Sequence, residues 1–526
     1  MFRILVSDRI AEDGLAILRE HADVDVQTGL SPQELLDRIG AYDALVVRSA
    51  TKVTADVIAA GVNLKVIGRA GVGVDNIDVE AATRHGVVVA NAPEAITVAT
   101  AEHTIGLMLA LARHIPDAHQ ALREGRWEPS KFVGVELRGK TLGIFGLGRI
   151  GSEVARRAKA LEMRVIAYDP PLPVERFHTL GVEIATKEEV LEQSDFISLH
   201  APGLASNYHM IDDAEFARMK AGVRIINAAR GELMSQEALL RALESGKVAG
   251  AALDSFEPEP PPADAPYLRH PRIIVTPHLG ASAAEAQERV AVDVAKQVLA
   301  VLNGEPAMYA VNAPFIAAEA YQVIAPFLQA ATQAASLATQ LSTGQLASVE
   351  VEYLGELADY DTTPLKAAVI RGLLAPVSEE NVTLVNASMI AEQRGLRIIE
   401  HKGHYEGIYA NLIRVHLRTS TGKTTVSSTV AHDGPHIVEI NDFWVDVSPG
   451  EGYLLLCENL DRPGMIGRIG TFLGQKDVNI SFMRVGREKV RGRALMVLGL
   501  DDELTPELLD EIARIPDIYS ARTAKI

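Results

Sequence analysis

The chain has one cysteine, Cys457, in 526 residues, which excludes an intrachain disulfide framework and a cysteine-built zinc cage; no metal site is expected. Aromatic residues make up only 5%, too few for a surface that stacks nucleic-acid bases. Positive charge is also short: 51 Lys and Arg stand against 69 Asp and Glu, a formal net charge of −18, the wrong sign for a face that binds a phosphate backbone. Any phosphate must therefore be held locally. No apolar run reaches membrane length uninterrupted, since the longest, Ala95 to Ile115, contains Glu102, His103 and Arg113. The N-terminus enters directly into Arg3-Ile4-Leu5-Val6-Ser7-Asp8, which has no signal-peptide layout. These absences predict a cytoplasmic protein without nucleic-acid or membrane partners.

Apolar material is ample at 48%, and the length corresponds to about three or four domains at usual domain size. The clearest motif is Thr141-Leu142-Gly143-Ile144-Phe145-Gly146-Leu147-Gly148-Arg149-Ile150-Gly151, an apolar strand running into Gly-x-Gly-x-x-Gly. In a dinucleotide turn Gly146 permits the tight bend and Gly148 lets backbone approach a pyrophosphate. Gly151 lets the next helix pack close to the strand, and the pyrophosphate sits on that helix's N-terminus. A helical stretch from Ser152 to Leu161 and a second strand, Arg164 to Tyr168, follow; Asp169 then ends that strand where an acid holds the adenosine ribose hydroxyls.

Strands and helices alternate from residue 1 to about 97, with strands at Ile4 to Ser7, Leu45 to Val47, Val66 to Gly68 and Val87 to Val89. Two of their ends carry Arg48-Ser49 and Arg69-Ala70-Gly71-Val72-Gly73, placed to line a crevice. One long helical segment is predicted from Thr97 to Arg123. Beyond the glycine turn, parallel strands are expected at 196 to 200, 224 to 227, 250 to 253 and 273 to 275. Ser282-Ala283-Ala284-Glu285 has capping-box spacing before a helix running to about Leu302. The two lobes are then joined by two helical crossings, with a ligand cleft between them. From Phe315 an alanine-rich helix leads into a mixed region ending near Gly450. Residues 452 to 526 show β-α-β-β-α-β order, a ferredoxin-like unit that reads as a regulatory appendage.

Three strand ends on the cofactor side carry Arg230, Glu259 and His278. Oxidising an alcohol by hydride transfer requires a base for the hydroxyl proton and a cation to orient a carboxylate. His278 is assigned as acid/base, Glu259 as the partner that fixes its tautomer, and Arg230 as the bidentate clamp.

Gly146-Leu147-Gly148-Arg149-Ile150-Gly151, Asn227-Ala228-Ala229-Arg230-Gly231, Glu259-Pro260 and Pro277-His278-Leu279-Gly280 together resemble the D-isomer-specific 2-hydroxyacid dehydrogenases. Val47-Arg48-Ser49-Ala50-Thr51 and Gly68 to Asn76 are similar to substrate-lobe segments of members that act on 3-phosphoglycerate. The resemblance spans the whole chain. It implies a flavodoxin-like substrate lobe (1–97 and 285–312) interrupted by a Rossmann NAD lobe (98–284), then an α+β intervening domain (315–450) and an ACT domain (452–526). It also implies oxidation of 3-phosphoglycerate with NAD at the entry to serine synthesis, by a homodimer or homotetramer. The implied cofactor contacts, several of them through backbone, add Arg149, Ile150, Ala201, Ala228, Ala229, Arg230, Asp254, His278, Gly280 and Ala281 to the glycines and Asp169, whose charge would repel the extra phosphate of NADP. Implied substrate contacts are Arg48, Ser49, Arg69, Gly71, Val72, Gly73 and Asn91. Where relatives often read Trp-x-Arg this chain has Trp127-Glu128-Pro129-Ser130-Lys131, so Lys131 is expected to supply that cation. Asp461 and Asn479 stand at the positions that would hold a serine effector, although Asn459 replaces a histidine found in some serine-inhibited relatives. An alternative within the class is a dehydrogenase for an unphosphorylated acid such as glyoxylate or hydroxypyruvate; outside it, an NAD-sensing scaffold.

Overall fold

The computed structural model describes residues 1–316, 318–405, 407–448, 450 and 452–526. Four sheets follow one another along the chain. The first is fully parallel, built from β1 (Arg3–Val6), β2 (Asp23–Val26), β3 (Ala44–Val47), β4 (Val66–Arg69) and β5 (Val88–Asn91) in the order β2-β1-β3-β4-β5. That is the flavodoxin-like order, with helices on both faces. Its central strands are apolar throughout because both faces are covered; every residue of β3 is buried. β2, Asp-Val-Asp-Val, has no such apolar run and is an edge strand beyond the four predicted ones.

The second sheet comprises β6 (Thr141–Phe145), β7 (Arg164–Tyr168), β8 (Glu183–Ile184), β9 (Phe196–Leu199), β10 (Val223–Asn227), β11 (Val248–Leu253) and β12 (Ile273–Val275). It is parallel in the order β12-β11-β10-β9-β6-β7-β8. Strand order reverses between β6 and β9, the Rossmann switch point at which a dinucleotide lies.

The predicted Thr97-to-Arg123 helix is two helices, Thr97–Arg113 and Ile115–Arg123. His114 between them is left-handed (φ 52°), and Pro116 has no amide to continue the first ladder. The capping box at Ser282 does not form either. The helix runs Ala284–Leu302 with Ala283 at its cap and no side-chain hydrogen bond there, while Ser282 N–H bonds Leu279 O at 2.8 Å. The chain thus stays turned over the cleft for one more residue before the helix starts. This helix returns to the first sheet, burying Val290, Val294, Ala295 and Val298 in the same core as Ile4, Val46 and Val66.

The third sheet holds β13 (Leu346–Gly355), β14 (Ile398–Gly403), β15 (Asn411–Thr419), β16 (Gly422–Ala431), β17 (Gly434–Ile440) and β18 (Phe443–Val447), all antiparallel except the β13–β14 pair. The fourth holds β19 (Tyr453–Leu460), β20 (Ile480–Arg487), β21 (Arg493–Leu500) and β22 (Ile518–Lys525) in the antiparallel ferredoxin-like order β20-β21-β19-β22. Leu454, Leu456 and Val497 of this unit share one core with Val349, Val415 and the helix Ala318–Leu341, so the last two units pack as one body.

Candidate active site

The carboxyl ends of the first two sheets face each other across a cavity of about 540 Å³. On one wall are Arg48, Ser49, Arg69, Gly71, Val72 and Gly73; on the other Arg230, Glu259, His278 and Ala281. The cleft therefore brings together most of the substrate and catalytic residues expected from the sequence.

The cofactor side is built on the turn after β6. Gly146 has φ 93°, and a Cβ there would lie 2.7 Å from the His200 carbonyl carbon. A Cβ on Gly151 would meet Gly146 O at 2.1 Å, which is the close helix–strand approach anticipated from the motif. A Cβ on Gly148 would meet nothing within 4 Å, so the turn is open on the side where a pyrophosphate would approach. Asp169 Oδ2 accepts a hydrogen bond from Leu147 N–H at 2.7 Å, tying the strand-end acid to the turn. These residues fit a dinucleotide. Ile150 lies in the first turn of the helix Arg149–Ala160, whose cap is Gly148. Arg149 points elsewhere: its guanidinium lies 5.9 Å from the Tyr309 ring centroid and its Nε 3.5 Å from Glu94 Oε1, both outside the Rossmann sheet. Ala201 follows β9, and Ala228 and Ala229 follow β10, where the Asn227 side chain accepts from Ala229 N–H and donates to Arg230 O.

Asp254, 1% exposed, organises the loop from Thr276 to Gly280. Its Oδ1 accepts from Thr276 Oγ1 (2.6 Å) and Leu279 N–H (2.8 Å), and its Oδ2 from Gly280 N–H (2.8 Å). His103 Nε2 is 3.3 Å from the same Oδ1. Burial raises the Asp254 carboxyl pKa, but these donors outweigh burial and hold it below its ordinary value. The loop so pinned forces His278 into the left-handed region (φ 52°), an uncommon position for a non-glycine residue and one that aims its ring into the cleft.

His278 Nδ1 is 2.8 Å from Glu259 Oε2, and Glu259 Oε1 accepts from Phe256 N–H at 2.9 Å. The hydrogen bond to Glu259 raises the His278 pKa above the ordinary histidine value against the opposing effect of burial. Glu259 is held low: burial pushes it up, and the His278 and Phe256 hydrogen bonds more than reverse that. The other histidine near the turn, His200, is pushed down to about 4 by burial and stays neutral, with Ser198 Oγ 2.8 Å from its Nε2. His278 is thus the ring of the two placed to exchange a proton.

Cations dominate the opposite wall. Arg69 folds over Gly71, and its buried Nε has no hydrogen-bond partner. Burial lowers its pKa, the charges of Arg230 and Arg48 add to the effect, and Asp75 opposes it. Arg230 Nη2 is 3.6 Å from Asp75 Oδ2, so one carboxylate of the first lobe reaches the clamp of the second. Asp8 anchors the Arg48 loop by accepting from Arg48 N–H (2.6 Å) and Thr51 Oγ1 (2.9 Å), and Asn76 Nδ2 donates to Arg48 O and Thr51 O. Asp8, Asp75 and Asn76 were not singled out in the sequence, and nor was Lys52, which lines the same cleft. Lys52 follows Thr51 in the loop already picked out at Arg48, which was the available signal. Two expected residues lie elsewhere. Lys131 Nζ is 2.6 Å from Glu128 Oε1 on an exposed loop, and Asn91 Nδ2 is engaged by Val72 O at 2.6 Å beneath the cleft loop. In the fourth unit Asp461 accepts from Arg491 N–H (3.0 Å) and Asn479 donates to Asp501 (2.7 Å). The helix Met465–Gln475 separates them, so one chain does not bring the two together. Among the described residues no cluster of metal-ligating side chains occurs, and no helix is long and apolar enough to cross a membrane.

Residues 105–280 match the D-isomer specific 2-hydroxyacid dehydrogenase NAD binding domain, residues 323–441 the D-3-phosphoglycerate dehydrogenase intervening domain, and residues 453–517 the ACT domain. The fold and the cleft are those of an NAD-dependent D-2-hydroxyacid dehydrogenase. D-3-phosphoglycerate dehydrogenase of Bacillus subtilis is 44% identical over 99% of both chains. That of Synechocystis is 44% identical over 100% of this chain and 95% of its own. Among solved structures, a glyoxylate reductase from Paecilomyes thermophila is 35% identical with a TM-score of 0.54, covering 59% of this chain and 98% of that one. The chain belongs to the D-3-phosphoglycerate dehydrogenase family.

Replacing His278 with Ala is expected to lower turnover by about 10²- to 10⁴-fold, the usual range for a lost general base, with NAD affinity by calorimetry unchanged. Near-normal turnover would remove His278 from the role. With His278 as the base, oxidation needs its ring unprotonated, so kcat/KM should fall as pH drops through its raised pKa. Glu259→Gln removes the cause of that elevation, and the acid limb of the profile should move to lower pH; an unmoved limb would mean that Glu259 does not tune the base.

Proposed function

We propose that the chain oxidises 3-phospho-D-glycerate to 3-phosphohydroxypyruvate with NAD, the first step of L-serine synthesis, in the cytoplasm. The observation that carries this reading is the surplus of cations in the cleft. A monocarboxylate needs one clamp, whereas Arg48, Lys52, Arg69 and Arg230 all line this site, and Arg69 Nε is buried without a partner. A substrate with a carboxylate at one end and a phosphate at the other uses such a set. The whole-chain relatives named for 3-phosphoglycerate support the same substrate.

In this reading Arg230 holds the substrate carboxylate, taking it in place of Asp75, and orients the C2 hydroxyl toward His278. His278 takes the hydroxyl proton, and Glu259 stabilises the imidazolium so formed. NAD, when bound, supplies the hydride acceptor. Gly146, Gly148 and Gly151 would hold its pyrophosphate and Asp169 its ribose, with Ala201, Ala228, Ala229, Gly280 and Ala281 along its length. Arg48, Arg69 and Lys52 hold the phosphate end; the sequence had put Arg48 and Arg69 at the substrate's two charged ends and added Lys131 where the cleft has Lys52.

The glyoxylate reductase likeness favours a second reading, an unphosphorylated hydroxyacid substrate. That likeness leaves about two fifths of this chain without a counterpart. Initial rates with NAD separate the two readings: kcat/KM should be at least about 100-fold higher for 3-phosphoglycerate than for glycerate, on the scale of two charge-assisted contacts. Lys52→Ala should raise KM for 3-phosphoglycerate about tenfold or more and leave glycerate unaffected. Equal rates with the two acids would sink the assignment.

The ACT unit is assigned as a serine site shared between two chains. Asp461 and Asn479 sit at opposite ends of an 11-residue helix, about 16 Å long at 1.5 Å per residue, so a second copy is needed to juxtapose them. A homodimer or homotetramer is thereby expected. Millimolar serine should inhibit the full chain and Asp461→Ala should abolish that inhibition; absence of inhibition in the unaltered chain would leave the unit a spacer.

A further inference from the structure

A second cavity, about 330 Å³, lies at the opposite end of β4 and β5 from the catalytic cleft. Its first wall is Leu64, Lys65, Gly86 and Val88 of the first lobe. Its floor is the segment from Val301 to Ile316, and its far wall is Arg371 with the loop Asn381 to Val385. It adjoins a groove of about 800 Å³ that shares Gly304, Glu305, Pro306, Leu328, Arg371 and Leu384 with it. None of these residues belongs to the active site.

Most of the lining is apolar, which makes the one free cation in it conspicuous. Arg371, on the helix Thr363–Leu374, has no ion pair and no side-chain hydrogen bond among the described residues. Lys65 is already committed to Asp43 at 3.1 Å, and Glu305 is not within ion-pair distance of Arg371. The residue is exposed toward the cavity, and no neighbouring carboxylate offsets its charge. A guanidinium that faces a cavity without a counter-charge is open to an anion, and its planar fork matches a carboxylate. The surrounding Leu64, Val88, Val301, Leu328, Leu384 and Val385 offer nothing to the remaining oxygens of a free inorganic anion, but they would cover a hydrocarbon body. The volume falls at the lower end of the ~300–1,000 Å³ typical of small-molecule sites.

We propose that this cavity binds a small organic carboxylate with an apolar body, its carboxylate held by Arg371 and its body between the first lobe and the third unit. The two walls are directly joined at the rim by one hydrogen bond, Thr383 Oγ1 to Gly86 O at 3.2 Å. A ligand in the cavity would add contacts to both sides and hold the substrate lobe against the regulatory half of the molecule.

The test is titration of the full chain with 4-methylpentanoate, followed by calorimetry and by ligand NMR. One saturable site is expected. Arg371→Met should weaken it at least about tenfold, the scale of a lost charge-assisted contact, and Arg371→Lys should weaken it less. Because the catalytic cleft also holds arginines, Arg230→Gln is the control and should leave this binding unchanged. Ala307→Phe, which fills the cavity from the linker side, should reproduce the loss and provides an independent route if Arg371→Met melts early. Unchanged affinity in both Arg371→Met and Ala307→Phe would overturn the site. So would loss in Arg230→Gln alone, or binding of inorganic phosphate as tight as that of 4-methylpentanoate.

Discussion

Asp254 is the carboxylate on which the geometry of the active site depends. Strand β11 carries it to the end of the sheet already buried, and three donors plus His103 converge on its two oxygens. Leaving such a charge unpaired would cost several kcal/mol, so the loop from Thr276 to Gly280 has little freedom to adopt another shape. His278 takes its left-handed backbone from that loop, and the Glu259 contact follows from where His278 then points. An acid placed deep in the sheet therefore sets the position and the proton affinity of a base at its surface.

The opposite wall works by the reverse principle. A chain with formal charge −18 gathers Arg48, Lys52, Arg69 and Arg230 around one cavity and leaves the buried Nε of Arg69 without a partner. Like charges at such spacing destabilise the protein until an anion arrives, and the scaffold tolerates them because Asp8 and Asn76 hold the loops through backbone groups. Steering of an anionic substrate over long distances is weak for so acidic a protein, so recognition must come from this local field.

The parts legible in the sequence were those with a local signature. The glycine turn, the apolar parallel strands and the ends bearing Arg230, Glu259 and His278 all depend on residues within one strand–loop unit, where period and spacing carry the information. The ferredoxin-like unit was readable for the same reason. Features that depend on distant residues were not. Asp8, Asp75 and Asn76 acquire their roles only when β1, β3 and β4 lie side by side, and an aspartate near the N-terminus gives no sign of bonding an amide 40 positions away. Lys131 matched an expected sequence position, but its nearest carboxylate, Glu128, holds it outside the cleft. The break at His114 and the unformed cap at Ser282 are similar cases, in which a favourable local pattern yielded to where the chain had to go next.

The contact between Arg230 and Asp75 has a further consequence. Each belongs to a different lobe, so the clamp is already partly neutralised from across the cleft before any substrate enters. In the role proposed for Arg230, an incoming carboxylate displaces a resident one. With Arg230 as the proposed clamp, recognition at this position exchanges a loose partner within the chain for the substrate carboxylate. The released Asp75 side chain, 81% exposed even when paired, returns to water at little cost.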